Sequence, residues 1–193
     1  CKGKTIKQSR AMVYRFKLVS DEASNFSREI EIDSESTFLQ LRNAILDSVN
    51  YTKDDIDSFF LCDEDWQRRE EITLVEMDSS SDYDIWLMED TPIDELVEDE
   101  GQKLIYVFDY LTERNFFMEL KEIIPGRTLS EPVCTLKKGK APLQKIDMDE
   151  FDKQVDTAAM KQAADVLDED FYTEGGYNPE DLEGYDEYNP NFN

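Results

Sequence analysis

The sequence predicts an α+β fold: a single domain with a mostly antiparallel sheet covered by two helices, followed by a weak C-terminal helix and a disordered acidic tail. Three observations lead there. Apolar residues alternate at period two in several short runs, the mark of half-buried strands. In two stretches they recur instead every three or four residues, as on one face of a helix. Only 39% of the 193 residues are hydrophobic, yet 11% are aromatic and 46 are acidic, which suggests an aromatic core wrapped in carboxylate beside an unfolded annex.

The first run places Met12, Tyr14, Phe16 and Leu18 on one face and Val13, Arg15, Lys17 and Val19 on the other, a strand. After a turn rich in Asp, Ser and Asn, Arg28-Glu29-Ile30-Glu31-Ile32 alternates again as its hairpin partner. Ser36 reads as the N-cap of a helix over 37–49, with Phe38, Leu41, Ile45 and Val49 on its apolar stripe. Ser58-Phe59-Phe60-Leu61-Cys62 is short and apolar, as a central strand would be, and Glu71-Ile72-Thr73-Leu74-Val75 is a further strand.

The serine-rich stretch 78–84 reads as a loop. Thr91-Pro92-Ile93-Asp94 reads as a helix start, with Thr91 as cap, Pro92 at the first helical position and an acid closing the box, so a second helix is expected over 92–100. The aromatic runs 103–111 and 115–124 form a hairpin around Thr112-Glu113-Arg114, Pro125-Gly126 turns the chain, and 132–142 is expected to be irregular.

The globular domain therefore spans 12–146. Residues 1–11, with Lys2, Lys4, Lys7, Arg10 and no acid, read as a basic non-globular extension ahead of the strand that opens at Met12. Phe151, Val155 and Val166 give 147–167 a weak amphipathic helix. From 168 to 193 no apolar period offsets the entropy of ordering, so this segment is expected to be a disordered acidic tail.

Composition excludes whole classes of function. Histidine is absent, which removes imidazole acid–base catalysis, Ser-His and Cys-His nucleophiles and imidazole-bound metals. The net charge of −25 repels nucleic acid unless cations form a stripe. The densest basic runs, Gln67-Arg68-Arg69 and Lys137-Lys138-Gly139-Lys140, do not form one, so no direct contact with nucleic acid is expected. Cys1, Cys62 and Cys134 are odd in number and contain no C-x-x-C pair, which fits a reducing cytoplasm, with Cys62 a small buried hydrophobe. No apolar stretch approaches the 18 residues of a membrane span, and no membrane partner is expected.

The best candidate for chemistry is a set of carboxylates, Asp63, Glu64 and Asp65 at the end of a strand, with Asp109 or Asp78, Asp82 and Asp84 completing a divalent-ion site. In a chain this acidic such clusters also arise as a solvated face, and no calcium-loop pattern is present. Ser79-Ser80-Ser81 lacks a partner base and reads as loop. Gly3-Lys4-Thr5 lacks the upstream half of a phosphate-binding loop. In the acidic tail, Tyr177, Tyr185, Tyr188 and Phe192 are candidate anchors for a basic partner.

Four segments in order carry a resemblance: Tyr14-Arg15-Phe16-Lys17; the stretch 32–45 with Thr37-Phe38-Leu39-Gln40-Leu41; Tyr106-Val107-Phe108-Asp109-Tyr110; and Pro132-Val133-Cys134 with Gly139-Lys140-Ala141-Pro142. Over about 12–145 they resemble the plasmid pRiA4b ORF-3-like family, small bacterial and archaeal α+β proteins found on plasmids, on chromosomes and as passengers of an insertion element. The resemblance implies a fold rather than an activity. Where the family has Tyr-Asp-Phe-Gly-Asp and then a tryptophan, this chain has Phe108-Asp109-Tyr110-Leu111-Thr112, so only Asp109 of the paired acids remains. The family's aromatic-with-histidine element is missing as well.

Together these features point to a non-catalytic cytoplasmic protein-interaction module, with no cofactor and a protein partner of basic surface. A metal-dependent hydrolase using Asp63, Asp65 and Asp109 is the competing expectation. A nucleic-acid mimic that blocks a basic DNA-binding protein is the third.

Overall fold

The computed structural model describes residues 11–76 and 84–146. In chain order the elements are β1 (Met12–Val19), β2 (Ser27–Asp33), α1 (Phe38–Val49), β3 (Ser58–Cys62), β4 (Arg68–Thr73), β5 (Asp84–Leu87), α2 (Ile93–Leu96), β6 (Lys103–Asp109), β7 (Arg114–Pro125) and β8 (Val133–Lys138). The eight strands make one sheet in the order β5-β4-β3-β6-β7-β1-β2-β8. Every pairing is antiparallel except β4 with β5, so the α+β, mostly antiparallel expectation holds.

Alternation decides which side chains go inside. Tyr14, Phe16 and Leu18 of β1, Ile30 and Ile32 of β2, Phe59 and Leu61 of β3, and Tyr106 and Phe108 of β6 join Phe38, Leu41 and Ile45 of α1 in the main core. Ile93 of α2 enters the same core, so both helices cover one face. The other face carries a smaller cluster of Phe60, Cys62, Ile105 and Val107, against which Trp66 and Phe117 pack. Burial pushes the Cys62 thiol up to about 11, as befits an unreactive hydrophobe.

Several boundaries differ from expectation, each for a local reason. The cap of α1 is Thr37 and not Ser36: Thr37 Oγ1 accepts from Gln40 N at 3.3 Å while Gln40 Oε1 accepts from Thr37 N at 2.9 Å. Ser36 is used elsewhere, its carbonyl accepting from Ile93 N at 2.8 Å. The second helix is a single turn ending at Leu96, with Pro92 at its cap and no side-chain cap bond, because Val97 is already extended and buried. β4 begins three residues earlier than expected. Its non-alternating Arg68, Arg69 and Glu70 find individual partners in the Phe60 ring, Asp63 and the Trp86 indole.

Two edge strands were not expected at all. β5 occupies one edge, at the end of the stretch read as a loop, and β8 occupies the other, within the segment read as irregular. The basic segment 1–10, the serines at 79–81, the weak helix over 147–167 and the acidic tail lie outside the described residues.

Candidate functional site

At one end of the sheet, the turn from β3 into β4 faces the loop that joins α2 to β6, and a cleft of about 530 Å³ opens between them. Asp63 and Glu64 line it from the turn, and Glu98, Asp99 and Glu100 from the loop, against a single lysine, Lys103. Main-chain bonds fix the loop. Gly101, at φ 88°, donates to Leu120 O at 2.7 Å, and Leu120 N donates back to Gln102 O at 3.0 Å. Gln102 then ties the loop to itself, its Nε2 donating to Leu96 O at 2.9 Å while its Oε1 accepts from Glu98 N at 3.1 Å.

Which of these carboxylates are free to act depends on what each already holds. Asp63 is engaged: Oδ1 accepts from the amides of Asp65 and Gln67, both at 2.9 Å, and Oδ2 accepts from Arg69 Nη2 at 2.5 Å. The Gln67 amide, then Arg69, hold its carboxyl below the usual range. Glu100 accepts from Ile123 N at 2.8 Å. The side chains of Glu64, Glu98 and Asp99 make no hydrogen bond or ion pair among the described residues, and all three are exposed.

Lys103 does not neutralise them. Its Nζ donates to the main-chain oxygen of Glu64 at 2.6 Å and lies 5.1 Å from the centre of the Trp66 ring. The resulting negative field reaches into the core. The Tyr14 hydroxyl, which donates to Val97 O at 2.9 Å, is pushed up to about 12, first by burial and then by Asp94, Glu98 and Asp99.

The carboxylates singled out from the sequence do not gather here. Asp63 lies in the cleft wall and Asp65 is exposed on the same turn. Asp109 closes the β6–β7 turn, accepting from Leu111 N at 3.0 Å and from Thr112 Oγ1 at 2.7 Å. Because Cys62 pairs with Lys103, six residues before Asp109 on β6, the two turns lie at opposite ends of the sheet, about 20 Å apart at strand rise. The expected trio Asp63, Asp65 and Asp109 is therefore not one centre, and no group of three acidic or cysteine side chains among the described residues could hold a metal ion. Asp84 is exposed on β5, while Asp78, Asp82, Tyr177, Tyr185, Tyr188 and Phe192 lie outside the described residues. The acids at 98–100 were hidden inside the expected helix; the run of three beside Gly101 was their only signal.

The aromatics of β6 and β7 that face the main core are spent on packing. The Phe108 and Phe116 rings lie 4.7 Å apart and tilted by 37°, and the Tyr106 ring lies 4.7 Å from that of Phe59.

The family model described as plasmid pRiA4b ORF-3-like protein matches residues 12–185. The crystal structure of a protein of unknown function, MM3350 from Methanosarcina mazei Go1, is similar with a TM-score of 0.56 and 20% identity, covering 69% of this chain and 73% of that one. At that identity the likeness shows the fold alone. No curated protein matches the chain.

Proposed function

The chain belongs to the plasmid pRiA4b ORF-3-like family, and from that premise we propose that it is a non-catalytic protein-interaction module whose acidic cleft receives a cationic segment of a partner protein. One observation carries the reading. Glu64, Glu98 and Asp99 present carboxylates unengaged among the described residues around one cleft, while Asp63 and Glu100 beside them are tied to main-chain amides. An arginine or lysine side chain entering the cleft meets charge that needs no prior bond broken. Each exposed pair adds only about 0.2–1 kcal/mol, so several cations must engage together. A net charge of −25 adds attraction at long range and speeds encounter more than it tightens the complex.

The free thiols of Cys62 and Cys134 suit a reducing compartment, and we assign the module to the cytoplasm. Among the described residues no helix is long and apolar enough to cross a membrane.

A fluorescent arginine-rich peptide, titrated into the protein at low salt and again at about 1 M, where screening shortens to about 3 Å, tests the reading. Binding should fall steeply with salt. Affinity unchanged across that range would rule out an electrostatic cleft. Displacement of the peptide from DNA, and not merely its capture, would favour a nucleic-acid mimic instead.

A further inference from the structure

A second pocket, of about 330 Å³, lies where the C-terminal end of α1 meets the chain leaving β8, and its chemistry is the opposite of the cleft's. Arg28 and Lys140 line it together with Asn50, Tyr51 and Gln144, and among the described residues no acid does, although 46 of the 193 residues are acidic.

The bonding of Arg28 is unusual. The residue is 6% exposed, yet no carboxylate among the described residues pairs with it. Its Nε donates to Ser48 O at 3.2 Å, and its Nη1 donates to Ser27 O, Lys138 O and Gly139 O at 2.9, 2.8 and 3.2 Å. Carbonyl oxygens satisfy those N–H groups and the dipole at the end of α1 favours the cation, but none of them carries a full counter-charge. Among the described residues Nη2 makes no hydrogen bond, and it is not among the solvent-excluded polar atoms without a partner. Its two N–H donors are therefore unspent among the described residues, on a side chain that lines this pocket with its guanidinium 4.6 Å from the centre of the Phe26 ring.

The remaining donors are similarly free. The Lys140 ammonium and the Asn50 side-chain amide make no bond among the described residues. Tyr51 is excluded as a donor, because its hydroxyl is given to Pro142 O.

Gly139 sets the arrangement. At φ 68° a Cβ there would meet Asn25 O at 2.3 Å, so only glycine lets the chain pass close enough to bring its carbonyl to Arg28 and carry Lys140 to the rim.

We propose that this pocket binds the phosphate group of a small molecule, held by Arg28 Nη2 and the Lys140 ammonium. Two unneutralised cations match a dianion, and guanidinium with ammonium is the donor set that phosphate oxygens favour. The volume is at the lower end for small-molecule sites, which fits a phosphorylated metabolite and not a polymer.

The test is titration with inorganic phosphate and, in parallel, with ribose 5-phosphate at constant ionic strength, following the Arg28 Nε–Hε resonance and the thermal midpoint. Because Arg28 also ties four carbonyls, the informative variants are at exposed Lys140. Saturable binding should weaken about tenfold in Lys140→Gln, the loss of one charge-assisted contact, and persist in Lys140→Arg. Tighter binding of the sugar phosphate identifies a phosphomonoester as the ligand, and equal binding identifies free phosphate. An unsaturable response, one matched by acetate, or one identical in Lys140→Gln would overturn the site.

Discussion

Arg42 Nε lies 2.7 Å from both carboxylate oxygens of Asp57, and the two residues are 3% and 2% exposed. The pair joins α1 to the residue that precedes β3. Arg42 Nη2 also donates to Lys53 O and Asp55 O, at 3.0 and 3.1 Å, and Tyr106 donates its hydroxyl to Asp57 Oδ2 at 2.7 Å. One buried ion pair thus fixes the whole 50–57 connection against helix and sheet.

Removing one partner strands the other charge in the core. Arg42→Met should lower unfolding stability by about 3–5 kcal/mol. The double variant Arg42→Met, Asp57→Leu should lose clearly less than the two single losses combined, because the stranded charge is gone. Urea unfolding of the four proteins decides it. Additive losses would show that the pair acts through packing and not through charge.

Glycine at 139 is a steric requirement, whereas glycine at 126 is a backbone preference. Both have positive φ, but a Cβ at Gly126 meets nothing within 4 Å. Gly126→Ala should cost about 1–2 kcal/mol for the left-handed backbone alone. Gly139→Ala should cost more, since Asn25 O must also move. Thermal midpoints of the two variants, compared side by side, make this check.

Acid should destabilise the fold through Glu31. Hydrogen bonds from Arg15, at 3.1 and 2.8 Å, and then the charge of Arg127 hold its carboxyl below the usual range. A carboxylate depressed in the folded state stabilises it at pH values above the unfolded pKa, about 4.3 for glutamate. That contribution is lost as pH falls below about 4 and through the lowered folded value. Asp63, also depressed, acts in the same direction. Urea midpoints followed from neutral pH to about pH 2 should therefore drop less steeply in Glu31→Gln than in the wild type. Parallel curves would remove Glu31 from the acid response.

What the sequence made legible follows from burial. β1, β2, β3, β6 and β7 each send alternate residues into the main core, and that alternation is the signal a reader of sequence uses. β5 and β8 lie at the sheet edges, where Ile85, Val133 and Leu136 are exposed, so only hydrogen bonds to one neighbour define them and no period results. The helix expected over 92–100 stopped early because Val97 is needed as a buried, extended residue whose carbonyl takes the Tyr14 hydroxyl.

At the site the limit was different. Asp63 and Asp109 stood out because acids beside strand ends are conspicuous, and that is also where carboxylates cap turns. Both turned out to be occupied by turn amides or hydroxyls. Whether a carboxylate is already engaged is a property of neighbours distant in sequence, such as Ile123 for Glu100, and composition cannot reveal it.

The most direct test compares peptide affinity in two charge-matched double variants. Glu98→Gln with Asp99→Asn removes two unengaged acids from the cleft, and Glu113→Gln with Glu131→Gln removes two exposed acids elsewhere. For an arginine-rich peptide at low salt, the cleft variant should bind about tenfold more weakly than the wild type, while the distant variant stays close to it. Equal weakening in both would show that net charge alone attracts the peptide and that the cleft is not where it binds.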